Sequence, residues 1–149
     1  MYSYKFPKAD HTVDVVVLRK HAASVEVLLV QRKHEPFKGK WVFPGGFLDL
    51  EKDGCLEDAA YRETEEETGI RPDDMESPLR QFRTYSDSLR DPRGWVISTV
   101  FLAAVGERVE AVAGDDAKSL RWFDVRHLPP LAFDHEKIWG DISREVLGR

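Results

Sequence analysis

At 149 residues, with 42% hydrophobic and 33% charged side chains, the chain has the size and apolar content of one folded unit, and a single domain over residues 1–149 is expected. Its 27 acidic residues outnumber 22 basic ones for a formal net charge of −5, which excludes the broad basic surface that nucleic acid demands. No apolar run reaches the roughly 20 residues needed to cross a bilayer, residues 1–12 lack a signal-peptide core, and the lone cysteine, Cys55, cannot form an internal disulfide, so a soluble chain in a reducing, cytoplasmic setting is expected.

Residues 11–19, rich in β-branched side chains, read as a strand, and residues 25–33 as a second, with a hairpin turn between them. Pro36 and Gly39 make residues 34–40 a loop. A short strand over 41–43 is stopped by Pro44, Gly45 and Gly46, and residues 48–54 are polar and irregular. A helix follows over 56–68, with Asp53 or Gly54 as its N-cap and Gly69 beyond its C-terminus. Residues 79–85 alternate as a strand does, residues 95–105 form a long apolar strand expected at the centre of the sheet, and residues 120–125 form another. Asp134 would cap a final helix running through Leu147, with Ile138, Ile142 and Val146 at helical spacing. Strands, helix, strands and helix in that order predict an α/β/α sandwich with a mixed sheet. They disfavour a strict βαβ repeat, and Gly45-Gly46 lacks the glycine spacing of a dinucleotide fingerprint.

The most informative segment is residues 59–70, AAYRETEEETGI. With Leu56 as origin and about 100° per residue, Ala60 falls near 40° and Ala59 near −60°, which defines the buried stripe. Glu63 falls near −20°, Glu67 near 20° and Glu66 near −80°, whereas Glu65 points to the opposite side. Carboxylates three and four residues apart repel one another on a helix, and partial burial adds a larger cost unless they are paired. A solvated acidic face is the ordinary fate of such a charge run. The inward phase of Glu63 and Glu67 argues instead for a hard divalent cation, Mg²⁺ or Mn²⁺, held by oxygen ligands.

The pattern Arg62-Glu63-x-x-Glu66-Glu67-x-Gly69-Ile70, preceded by Phe43-Pro44-Gly45-Gly46-Phe47, resembles the Nudix box. Thr64 stands where that box usually has an apolar residue. Gly46 to Arg62 spans two residues more than the family pattern, which puts Gly54 where a glutamate that buttresses the arginine belongs; Glu51 and Asp53 are the nearby acids able to replace it. Further segments, among them VDVVVL, PFKGKWVFPGGF, DPRGWVIS and LPPLAFDH, extend the likeness over nearly the whole chain, toward the ADP-ribose pyrophosphatase-like branch.

The resemblance implies a hydrolase that uses Mg²⁺ or Mn²⁺ to split the diphosphate of ADP-ribose or a related nucleotide sugar, a small-molecule nucleotide substrate. It also admits a homodimer. Glu63, Glu66 and Glu67, with Gly46, would bind the metal, one glutamate could instead serve as base, and Arg62 would orient a glutamate. Gly45 and Gly46 would let the backbone approach the substrate or metal. Arg32 is a candidate for phosphate, the loop segment Arg90-Asp91-Pro92-Arg93 for a terminal ribose or phosphate, and Phe37, Tyr85 and Trp95 for stacking on the base, although any one of these aromatics more often belongs to the core. Asp115 and Asp116 stand in a loop where the family often supplies a further acid, and Asp116 is a substrate-site candidate; Ser119 occupies a place where relatives commonly carry glutamate. His135 is expected to be structural, and Cys55 has no histidine arranged to activate it. The alternatives are a nucleoside triphosphate or GDP-sugar hydrolase, and a non-catalytic sensor of an ADP-ribose-type ligand.

Overall fold

Alternation along β1 (Asp10–His21) sends Val13, Val15 and Val17 to one face of a sheet and Asp14 and Val16 to the other; all are buried. β1 turns through Ala22 and Ala23 into β2 (Ser24–Arg32), and the hairpin register runs from His21↔Ser24 to Leu18↔Val27. Beyond that point the two strands part. The gap is filled by β3 (Trp41–Val42), which pairs with β2, and β4 (Gly45–Phe47), which pairs with β1 as Asp14↔Gly45 and Val13↔Gly46. At the fork the Val15 amide donates to the Pro44 carbonyl at 2.7 Å. The computed structural model describes residues 2–114 and 117–149.

α1 (Leu56–Thr68) follows the wedge, and β5 (Arg80–Tyr85), β6 (Val96–Val105), β7 (Ala117–Asp124) and α2 (His135–Glu145) complete the fold. The strand path is β3-β2-β1-β6-β5, with β4 on β1 and β7 on β2; among these described strand pairs only β1–β6 is parallel. Each face buries its own core. Val13, Val15, Val17, Leu28, Phe101 and Ala103 pack with Ala59 and Ala60 of α1. Val16, Val27, Leu29, Val100 and Leu102 pack with Ile138 and Ile142 of α2. This is the expected α/β/α sandwich with a mixed sheet.

Several local expectations shift. β6 has neighbours on both edges but lies one strand from the sheet's end, and β1 takes the middle. Gly45–Phe47 forms a strand instead of a turn, because the parting of β1 and β2 leaves a free β1 edge that accepts it. The N-cap of α1 is Cys55, one residue after the expected pair: the Asp53 carboxylate is engaged by Arg62, and Asp58 reaches back to accept from the Gly54 amide at 3.0 Å. Gly69 ends the helix in the left-handed conformation, φ 73°, as expected. The Thr64 hydroxyl, fully buried, donates to the Ala60 carbonyl at 2.7 Å, so a polar residue fits an apolar position. α2 stops at Glu145, short of Leu147.

Candidate active site

Arg62 ties the acidic helix to the loop before it. Its Nε donates to Asp53 Oδ1 at 2.8 Å and its Nη2 to Asp53 Oδ2 at 2.7 Å, a two-pronged pair whose carboxylate is also fixed by the Asp49 amide. Asp53 therefore occupies the buttressing place left vacant by Gly54: two added residues and a shorter side chain bring a carboxylate to the same guanidinium. The Arg62 guanidinium holds Asp53 below the usual carboxylate range, and Asp53 in turn raises Arg62. Arg62 Nη1 reaches Glu63 at 2.9 Å and Glu66 at 3.2 Å, and Nη2 donates to the Phe47 carbonyl.

Glu63 and Glu67 turn from α1 into a cavity of about 360 Å³ that opens where β1 and β2 part. Burial pushes the Glu63 carboxyl above its ordinary value, against the opposing pull of Arg62. A Cβ on Gly46 would lie 2.6 Å from Glu63 Oε1, so only glycine admits the carboxylate there. The Gly45 amide donates to Glu67 Oε2 at 3.4 Å. Glu66 departs from the inward stripe: its side chain is half exposed and does not line the cavity, because Arg62, one turn earlier, draws it outward.

Basic and aromatic side chains line the same cavity. Arg93 is held by Asp91 through Nε at 3.0 Å and Nη2 at 2.8 Å, and its guanidinium carbon lies 4.9 Å from the Phe47 ring centre and 5.5 Å from that of Phe133. Arg32 lies 5.0 Å from the same Phe133 ring and donates to the Pro36 carbonyl. Burial and the nearby Arg93 both pull Arg32 below its ordinary value. Arg90, almost fully buried, grips Asp134 at 2.6 and 2.8 Å, which occupies the carboxylate expected to cap α2 and pins the loop before β6 to the start of that helix. Asp14 and His135 also line the cavity.

Of the residues singled out from sequence, Glu63, Glu67, Gly45, Gly46, Arg32 and Arg93 line this one cavity, and Arg62 stands behind it. Phe37 does not line it, but packs edge-on against Phe133 with ring centres 4.8 Å apart. Tyr85 lies elsewhere: it is buried in the core beneath α2 and donates to Asp141 Oδ2 at 2.6 Å, since strand alternation directs it to that face. Trp95 is exposed, with its indole N–H given to the Ser86 carbonyl. Asp115 and Asp116 lie outside the described residues. Arg90 and Asp91, from the loop segment expected to reach a ribose or phosphate, line the cavity as well, whereas Asp14, Phe47 and Phe133 were not singled out as site residues. Asp14 carried a legible signal, a carboxylate within a valine run; the two phenylalanines carried none.

All the candidate donors toward a metal are oxygens, which suits a hard divalent cation. The desolvated Glu63 carboxylate and Glu67, with the side-chain-free backbone at Gly46, fit such an ion at the acidic end of the cavity. Among the described residues, no three histidine, cysteine, aspartate or glutamate side chains already converge as a ligand cluster.

With this geometry in view, residues 9–141 match the NUDIX domain family. The chain belongs to that family. This NUDIX chain is 48% identical over 120 residues to an ADP-ribose pyrophosphatase of Methanocaldococcus jannaschii, covering 80% of its own length and 66% of that protein's. The NUDIX domain of Shewanella oneidensis NrtR, solved with ADP ribose, superposes with a TM-score of 0.87 at 32% identity, over 98% of this chain and 94% of that one. A bifunctional NMN adenylyltransferase/ADP ribose pyrophosphatase of Francisella tularensis, solved with AMP and a manganese ion, gives 0.80 at 29% identity, over 95% of this chain and 43% of that one. The chain spans two thirds or less of the length of the curated relatives it matches. Nudix ADP-ribose pyrophosphatases in general depend on a divalent metal. Among the described residues, no helix is long and apolar enough to cross a membrane.

Proposed function

We propose that residues 1–149 act as one domain that hydrolyses the diphosphate of ADP-ribose or a related nucleoside-diphosphate sugar, releasing a nucleoside monophosphate and a sugar phosphate. The observation that carries this reading is a cavity of two signs. Glu63 and Glu67 line it together with Arg32 and Arg93, a set of charges that suits a diphosphate with its metal counter-charge. The 48% identity to an ADP-ribose pyrophosphatase and the likeness to an ADP-ribose-bound NUDIX domain support that choice of substrate.

Glu63 and Glu67, beside Gly46, would hold Mg²⁺ or Mn²⁺, and the manganese of the Francisella relative supports this. When bound, the cation supplies charge neutralisation on the phosphoryl oxygens and a water of lowered pKa. Glu66 completes the proposed carboxylate set from its position on Arg62, which it would leave to reach the metal. Arg62 aims Glu63 and partly offsets the cost of its burial, with Asp53 locking the far side of the guanidinium. Arg32 and Arg93 hold phosphate oxygens and are themselves immobilised by the Pro36 carbonyl and Asp91. Water adds to one phosphorus as the bridging oxygen departs with the other phosphoryl group, its negative charge balanced by the surrounding cations.

A second reading, ligand binding without turnover, is favoured by the outward, Arg62-bound position of Glu66 and by the NrtR likeness. Incubation with ADP-ribose, GDP-sugars and nucleoside triphosphates in Mg²⁺ or Mn²⁺, with product analysis and calorimetry, separates the two. Monophosphate release from ADP-ribose is expected. Binding without products would establish the sensor reading, and preference for triphosphates would overturn the substrate assignment. The cytoplasmic setting and a homodimer are part of the proposal, checked by fractionation and light scattering.

A further inference from the structure

We infer that the Asp14 carboxylate accepts hydroxyl groups of the substrate, and thereby selects a diphosphate bearing a sugar over one bearing a further phosphate. The inference rests on the diphosphatase reading above and specifies what lies beyond the diphosphate. Asp14 occupies an inward position of β1 on the α2 face, between Thr12 and Val16, and is only 8% exposed. A carboxylate buried there is costly unless its oxygens are hydrogen-bonded or used by a ligand. Ser98 donates its hydroxyl to Asp14 Oδ2 at 2.5 Å. The second oxygen, Oδ1, stands 3.6 Å from His135 Nε2 and faces Gly45, on which a Cβ would come within 2.7 Å of it. A Cβ at Gly45 would also strike the Val13 carbonyl at 2.2 Å, so only glycine lets β4 lie beside this carboxylate, and Asp14 lines the cavity.

His135 is fixed as a donor. Its Nδ1 accepts the Phe43 amide at 3.2 Å, so the ring proton sits on Nε2, toward Asp14, and burial pulls the imidazole pKa below its ordinary value. The ring therefore has no open acceptor with which to take a proton from substrate, and at 3.6 Å its Nε2 leaves Asp14 Oδ1 without a hydrogen bond from this side. An ionised carboxylate accepts hydrogen bonds only. It takes up the hydroxyls of a sugar ring, whereas a phosphate in the same place would set two anions within hydrogen-bonding distance. Register also matters. Gly45 opens toward Asp14 on one face of β4 and Gly46 toward Glu63 on the other, so a ligand crossing this strand meets the diphosphate-splitting carboxylates and then the hydroxyl acceptor.

The test compares ADP-ribose, ATP, and an ADP ester whose terminal phosphate carries a plain alkyl chain, by initial rates in Mg²⁺ and by calorimetry in EDTA, for the wild-type chain and Asp14→Asn. Wild type is expected to prefer ADP-ribose to the alkyl ester by roughly tenfold to a hundredfold, the scale of one hydrogen bond to a charged group. Asp14→Asn should abolish most of that preference and lower the ADP-ribose to ATP ratio by a similar factor, mainly through KM and Kd. A uniform loss on all three ligands would mean that Asp14 only supports the fold, and would overturn the inference. So would a wild-type chain that does not distinguish ADP-ribose from the alkyl ester, a result that needs no variant. If wild type neither binds nor cleaves ADP-ribose, the functional reading fails first and this inference with it; if it does both and the preference is untouched by Asp14→Asn, this inference fails alone.

Discussion

The acidic end of the cavity draws on two neighbouring stretches of chain, residues 45–47 and 62–67, while the basic end gathers Arg32 from β2, Arg90 and Arg93 from the loop before β6, and Phe133 from the loop before α2. The first is a local design, in which one helical turn and a glycine strand specify the carboxylates and their spacing. The second exists only once the sheet is assembled. The carboxylates sit at a set phase on a capped helix; the arginines depend on rings and acids contributed from distant segments. Chemistry at the acidic end should therefore fail through turnover, and damage at the basic end should appear in substrate affinity.

The largest effect should come from Glu67→Gln, which keeps the shape but removes charge: turnover on ADP-ribose is expected to fall by about 100-fold or more with binding retained, as seen by steady-state rates against calorimetry. Near wild-type turnover would remove Glu67 from the site. Asp53→Ala, which frees the outer side of Arg62, should lower kcat about 10- to 100-fold with a smaller change in KM. An unchanged kcat would show that Arg62 is held well enough by Glu63, Glu66 and the Phe47 carbonyl alone. Arg93→Ala should raise KM about tenfold with kcat nearly kept, and a turnover defect instead would erase the contrast between the two ends. Phe133→Leu should act in the same direction by a few-fold, with Phe133→Tyr restoring the wild-type KM, since either aromatic ring offers a face to both guanidiniums.

A subtler contrast lies within the acidic end, between two of the three carboxylates on Arg62. Asp53 has a depressed pKa, so its stabilising contribution is present above the ordinary aspartate value near 4 and is lost as pH falls through its lower folded value. Glu63 has a raised pKa, so its ionisation costs stability as pH climbs from the ordinary glutamate value through the higher folded one. Melting in EDTA from pH 3 to 8 should show Asp53→Asn losing stability on the neutral side, and Glu63→Gln gaining it there. A matching response from both variants would refute the opposed signs.

The readability of the sequence follows the same division. β-branched runs predict β1 and β2, and helical phase with Gly69 predicts α1, because each is decided by contacts within a few residues. The phase also places Glu63 and Glu67 inward; for Glu66, at the margin of the stripe, a competing partner four residues earlier decides the outcome. Tyr85 and Phe133 show the limit. Both are aromatic residues near loops, and only the strand register and the helix beneath it send one into the core and the other to the cavity rim. Asp53 lay between: the surplus of two residues in the loop was visible, but the two-pronged grip on Arg62 required three dimensions.

The parting of β1 and β2 has a practical consequence. The mouth is created where the pair diverges, at Thr12, Asp14, Val30 and Arg32, while Ala22 and Ala23 sit at the closed tip, exposed and outside the cavity lining. Lengthening that tip leaves the divergence itself alone, so a fluorophore, an affinity tag or a fused partner attached between Ala22 and Ala23 would report on the molecule without standing at its entrance.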